Sequence, residues 1–365
     1  MKKVIVFEPN PYHNEVLPGI VKYFEDLNYI ADVYVREECF ADNPFCRYRI
    51  RGKRISYRIE EAKKVLSDEK IREYDFIFFS SMEHCENGEI KRFLTEIGII
   101  PKAKYGILGM YHTNWLINEF DDYELLNQGR LFCISPFQKR GYSKLRWMSP
   151  IYFGDNCKQK NSVINEKKNI LIVGNISDIS SVVEAWWSLD KMTRDKLVIK
   201  HIGKLPIHDK SIKGYLYRAY VKFFSVVDYR HKSTTFINRL GSVSFERMFQ
   251  EIEKSDFLMT TINPDYDSDR HYLESSTSGI RQLAIGFGKP LIIQNEVAKI
   301  YDIPEEASVN FSRGKLNEVL KRLANMSDGL YNTASKSMLN FYEYTFARSL
   351  SNLRDATEKL CDMEK

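Results

Sequence analysis

Long apolar runs are missing from this chain of 365 residues. The first apolar stretch, Val4–Phe7, is too short for a signal peptide and reads as a strand. No later stretch approaches the roughly 20 residues needed to cross a bilayer. These absences point to a cytoplasmic protein, or to one held peripherally at the inner face of a membrane. Paired cysteines are missing too. The six present (Cys39, Cys46, Cys85, Cys133, Cys157 and Cys361) are scattered without metal-ligand spacing. That pattern fits free thiols in a reducing compartment and speaks against a structural zinc site. Strong charge of one sign is also lacking. A net charge of +5 allows an anionic ligand or a weak contact with anionic lipid, but not the basic face of a nucleic-acid binder. No close repeat links the two halves.

What is present is an alternation of short apolar strands with amphipathic helices. Hydrophobic residues make up 43% and charged residues 28%, the balance of a soluble globular protein long enough for two domains. Strands are expected near 3–8, 31–35, 75–80, 104–110 and 131–135, with helices near 14–28, 59–70, 87–97 and 136–145. Residues 154–168 are polar and aperiodic and read as a linker. A second series of strands follows near 169–175, 197–203, 234–238, 256–262, 290–293 and 308–311, with helices near 178–190, 244–254, 277–287 and 314–325. A helical tail runs from about 328 to 362. The expected fold class is α/β: two Rossmann-like, doubly wound parallel-sheet domains with a cleft between them. The boundaries are 1–153, 169–345 and a C-terminal helix at 346–365.

The most informative stretch is YLESSTSGIRQLAIGFGKPLII, residues 272–293. Thr277 and Ser278 suit a helix N-cap, and Gly279 permits close approach of a ligand. Ile280, Leu283, Ala284 and Phe287 recur at helical spacing, and Gly288 and Pro290 punctuate the passage into a strand. Unpaired amides at a helix start favour a phosphate or diphosphate. The alternating acids Asp265, Asp267 and Asp269 do not make a calcium loop, because Arg270 and Ser276 stand where Gly and Glu are required. They read as a hydrated acidic loop, and no metal is assigned.

Residues 169–330 resemble the donor-binding domain of GT-B glycosyltransferases, through NILIVGN, IKHIGK, EKSDFLMTTINPD and TSGIRQLAIGFGKPLI; the first half resembles that family in outline. The resemblance implies a hexosyltransferase-type enzyme. It would move a sugar from a UDP- or GDP-linked donor to a glycan or lipid-linked acceptor, without a metal, in surface polysaccharide synthesis. In that family the helical tail often crosses back over the first domain. The paired glutamates of the commonest retaining pattern are absent, and Ser276 to Gly279 takes their place, which leaves inversion or retention open. The same helix is similar to nucleotide-sugar 2-epimerases, although Gln282 and Leu283 replace the paired acids of those enzymes. A non-catalytic protein that binds a glycan or a partner is the third alternative.

On this resemblance the sugar donor's diphosphate would meet the amides of Thr277, Ser278 and Gly279, aided by Arg270 and Gln282. His271 and Tyr272 would frame the sugar or base, and Gly174 and Asn175 would approach the phosphates. The proton acceptor would come from strand-end loops of the first domain. His112 and His13 lead, with Glu83 and His84 as the other candidates. Residues 205–233 interleave lysines and arginines with tyrosines and phenylalanines, a composition suited to an anionic membrane surface.

Overall fold

The computed structural model describes residues 1–82, 103–113, 123–139, 141–155, 166–174, 179–203 and 238–363. Glu83, His84, Asn175, the expected helix at 87–97, most of the linker and the basic segment 205–233 lie outside them. The chain divides into two compact units. One comprises Met1–Asn156, Glu274–Thr277 and Glu343–Lys365; the other comprises Cys157–Leu273 and Ser278–Tyr342.

The first unit is built on a seven-stranded parallel sheet in the order β3-β2-β1-β4-β5-β6-β7. Its strands are β1 (Lys2–Phe7), β2 (Tyr29–Arg36), β3 (Arg54–Tyr57), β4 (Phe76–Phe79), β5 (Ile107–Tyr111), β6 (Leu131–Cys133) and β7 (Arg146–Trp147). Val4 to Phe7 and Phe76 to Phe79 are entirely buried, as parallel strands covered on both faces must be. Helix α1 (Leu17–Asp26) has Pro18 in its first turn and buries Leu17, Ile20, Val21 and Phe24, one stripe at helical spacing. Among the described residues, short helices α2 (Glu37–Phe40), α3 (Ala62–Ser67) and α4 (Tyr123–Asn127) lie in the connections. Strands β3 and β7 are not among the expected ones. RISY buries only its tyrosine, and β7 is two residues long, so neither carries an apolar run. The helix expected at 136–145 is a 3-10 turn over Pro136–Lys139.

The second unit carries a six-stranded parallel sheet in the order β10-β9-β8-β11-β12-β13. Its strands are β8 (Lys168–Val173), β9 (Leu197–Ile202), β10 (Asn238–Gly241), β11 (Phe257–Met259), β12 (Leu291–Gln294) and β13 (Ser308–Phe311). Its helices among the described residues are α5 (Ile179–Trp187), α6 (Lys191–Asp195), α7 (Phe245–Lys254), α8 (Asp267–Glu274), α9 (Gly279–Gly286), α10 (Asn295–Ile300) and α11 (Leu316–Ala324). Helix α8 was expected to be an acidic loop. Its first turn holds Asp267 and Asp269, which favour the positive end of a helix, so the acids that suggested a loop start a helix instead.

The final helix, α12 (Asp328–Met363), contributes to both cores. Tyr331 is buried with Phe257 in the second unit. Leu353, Ala356 and Leu360 are buried with Val4, Ile20 and Leu108 in the first. Among the described residues no helix is long and apolar enough to cross a membrane.

Candidate functional site

Both sheets reverse strand order beside their first strand, between β1 and β4 in one unit and between β8 and β11 in the other. Crevices at such switch points, beyond the carboxyl ends of the strands, are where α/β sheets bind ligands. In the first unit several candidate residues follow β1, β4 and β5 beside the switch point; in the second they lie after β8 and in the connection from β11 to β12.

In the first unit, Glu8 follows β1 and is fully buried. Its carboxylate accepts the Asn10 amide at 2.8 Å, the Ser80 hydroxyl at 2.8 Å and the Ser81 hydroxyl at 3.0 Å. Both serines follow β4. Burial pushes the Glu8 carboxyl up to about 8, against the opposing pull of His13, the Asn10 amide and the two hydroxyls. Five residues on, His13 sits in the left-handed region at φ 65°, strain of the kind that gathers at functional sites. Its ring lies 4.2 Å, centroid to centroid, from that of His112, which follows β5. Glu15 approaches His13 at 3.8 Å; burial draws this carboxyl upward, but the His13 bond and charge outweigh it and hold it below its ordinary value.

His112 is buried, and its Nε2 lies 3.0 Å from the Ser80 carbonyl. A carbonyl only accepts, so Nε2 carries the proton and Nδ1 keeps the lone pair. Burial, with the charge of His13, drives the His112 pKa well below the ordinary histidine value, so the ring is neutral at physiological pH. A neutral imidazole of fixed tautomer is equipped to take a proton. The His112 loop is pinned by Gln138, a fully buried residue whose Nε2 donates to the His112 carbonyl at 2.6 Å and to the Ser275 carbonyl at 2.9 Å. A bridge between Thr113 and Ser276 lays segment 274–277 on this same unit.

In the second unit, α9 descends from the carboxyl edge of the sheet between β11 and β12, and its start is open. A Cβ built on Gly279 would meet nothing within 4 Å. The Gly279 and Ile280 amides meet no acceptor among the described residues. Ser278 departs from expectation in two ways. Its side chain caps nothing, and its own amide donates to the Tyr301 hydroxyl at 3.1 Å, which removes it from the anion-binding set. The available amides therefore belong to Gly279 and Ile280, one step further along than expected.

Two side chains at this turn reinforce the reading. Gln282 is buried and both polar atoms of its amide lack a partner among the described residues; so does the buried Thr277 hydroxyl. Helical side chains lean toward the N-terminus, which brings Gln282 back over the Ser278–Gly279 turn. A buried amide left unmatched costs about 1–3 kcal/mol, a penalty that a ligand would relieve. Arg281 is buried beside the same turn, with Nε donating to the Tyr301 carbonyl at 3.2 Å. Burial lowers its pKa to about 10. A guanidinium in the first turn opposes the helix dipole unless an anion is bound there.

The neighbouring strand ends are shaped by glycine. Gly174 (φ 102°) and Gly203 (φ 138°) follow β8 and β9, and a Cβ on Gly203 would lie 2.2 Å from the Gly174 carbonyl oxygen. His201, fully buried, holds that oxygen at 2.8 Å from its Nε2. Arg270 and His271 are exposed on α8 rather than in a loop, and the His271 and Tyr272 rings lie 3.9 Å apart. Of the three acids, Asp265 pairs with Arg313 at 2.7 Å and Asp269 accepts the Asn263 amide at 2.8 Å.

Glu8, Ser80, Ser81, Gln138, His201 and Arg281 escaped the sequence reading. A buried polar residue at a strand end has no periodic signal. The one available hint was the run of two serines directly after the all-apolar FIFF.

No family model and no curated protein matches the chain. Solved structures do. Anabaena Alr3699/HepE in complex with UDP and glucose is 12% identical with a TM-score of 0.54, covering 99% of this chain and 100% of its own. AviGT4, a glycosyltransferase involved in avilamycin A biosynthesis, is 13% identical with a TM-score of 0.52, covering 96% and 98%. The trehalose-6-phosphate protein from E. coli bound with UDP-2-fluoro glucose is 11% identical with a TM-score of 0.53, covering 98% and 99%. The chain has the GT-B fold of these glycosyltransferases.

Proposed function

We propose that this GT-B chain is a hexosyltransferase-type glycosyltransferase that takes a sugar from a nucleotide-sugar and passes it to a hydroxyl of a glycan or lipid-linked saccharide. The observation that carries the reading is the open start of α9, where two amides without acceptors among the described residues share the first turn with a buried Gln282 whose amide is likewise unmatched. The UDP in the similar structures of HepE and the E. coli protein supports a UDP-linked donor. The pyrophosphate would accept the Gly279 and Ile280 amides, with the Thr277 hydroxyl, Gln282 and Arg270 as further contacts, while the dipole of α9 offsets its growing charge. On the acceptor side, the His13–His112 pair would take the hydroxyl proton as the new glycosidic bond forms. The reading assigns charge stabilisation to helix amides and guanidinium rather than to a metal. Surface polysaccharide assembly and attachment to a membrane face through 205–233 belong to the same proposal.

The test is incubation with UDP-glucose, UDP-GlcNAc and GDP-mannose, following nucleoside diphosphate release and sugar isomerisation. The expected result is slow diphosphate release, with water as acceptor, that accelerates with an added glycan. Isomerisation of UDP-GlcNAc alone would replace this reading with the epimerase. Glycan binding without any turnover would replace it with a binding protein. Gly279→Val fills open space and should weaken UDP binding at least tenfold at an unchanged melting temperature; unchanged affinity in both Gly279→Val and Arg270→Ala would contradict the donor site.

A further inference from the structure

We infer that Glu8 is a positioning residue for the His13–His112 pair, holding both imidazoles in place and setting, through its own ionisation, the electrostatic field in which they gain and lose a proton. The inference takes its chemical meaning from the glycosyl-transfer reading, but its geometry stands without it. Glu8 is joined to every strand around the switch point. Its amide donates to the Tyr34 carbonyl of β2 at 2.9 Å, its carbonyl accepts the Tyr57 hydroxyl of β3 at 2.8 Å, and its carboxylate gathers both serines after β4.

Two short paths lead from that carboxylate to the imidazoles. The first runs through Ser80, whose hydroxyl donates to Glu8 while its carbonyl receives the Nε2 proton of His112. Displacing Ser80 would release the bond that fixes the His112 tautomer. The second runs through the Asn10 amide, which closes the turn after β1 and delivers the chain to left-handed His13. The titratable groups that act on Glu8 are His13 from the turn before α1, Cys39 from α2 and Tyr57 from β3; beyond them Glu15 meets His13, His112 meets the Ser80 carbonyl, and Arg36 and Glu38 act on Cys39. A carboxyl shut away from water retains its proton to unusually high pH even against the opposing pull of His13, and its ionisation then registers on His13 directly and on His112 through Ser80.

The experiment needs no substrate, so it fails or succeeds independently of the proposed activity. Histidine-labelled protein is titrated from pH 5 to 9 by nitrogen-detected NMR, with assignment by His13→Gln and His112→Gln. In the wild type, His112 should show the neutral Nε2–H tautomer throughout, and the ring signals of His13 and His112 should carry an inflection near pH 8. Glu8→Gln should abolish that inflection. Should Glu8→Gln fail to fold, Ser81→Ala serves instead: it removes one hydroxyl from the carboxylate and should move the inflection upward. Histidine curves that superimpose on the wild type in whichever variant folds would overturn the inference. Where UDP-glucose turnover is measurable, the ratio of Glu8→Gln to wild-type kcat should be at least fivefold lower above pH 8 than at pH 6, while KM stays within about twofold.

Discussion

Glu8 shows how much one buried carboxyl can decide. Burial raises it from 4.5 to about 8, so between those values the folded chain holds a proton that the unfolded chain has released. Its contribution to stability is full below the lower value and fades as pH rises through the upper one. Denaturant unfolding at pH 5 and pH 8 should show this loss in the wild type and not in Glu8→Gln; equal slopes in both would contradict a protonated Glu8. Gln138 makes a second test at this scale. Gln138→Leu leaves the His112 and Ser275 carbonyls without their donor, and should cost about 1–3 kcal/mol by chemical denaturation. A loss below about 0.5 kcal/mol would mean that water replaces the amide and that the clamp on the His112 loop is dispensable.

Helix α9 was legible in the sequence because its apolar positions match its period: Ile280, Leu283, Ala284 and Phe287 are all buried. Its first turn was legible only in part. Nothing in the letters TSG says that the Tyr301 hydroxyl would claim the Ser278 amide, because that contact spans 23 positions. Helix α8 is hidden in the sequence for a local reason, since acids at a helix start and acids in a loop look alike until the end of the segment is known. Helix α7 carries a further test. It ends against Lys289, which is fully buried and donates to the Glu253 carbonyl at 2.9 Å and the Ser255 carbonyl at 2.6 Å. Burial lowers the Lys289 pKa from 10.5 to about 8. Between those values the unfolded chain binds the extra proton, so stability contributed at this residue should rise with pH from about 8 to about 10.5. Unfolding free energies of Lys289→Met over the same range should lack that rise and be lower at pH 7, where the two carbonyls lose their donor.

Across the whole molecule, the two-sheet plan was readable because parallel strands buried on both faces must be continuous apolar runs, as VIVF and FIFF are. The polar centre was not, because Glu8, His13, Ser80 and His112 span 104 positions (112 minus 8) and meet only through strand order. The final helix supplies both cores, which gives a test by hydrogen exchange. Leu353→Ala should cost about 2–5 kcal/mol and loosen the first sheet, and Tyr331→Ala should loosen the second. Uniform loss of protection in both sheets from either substitution would contradict the division into two cores. The central claim is that the open turn of α9 grips a diphosphate. The most direct measurement is a titration of the nitrogen-15-labelled chain with UDP, following the Gly279 and Ile280 amides. They should move downfield in proportion to occupancy and before other amides saturate. UDP that binds while both signals stay still would contradict the account.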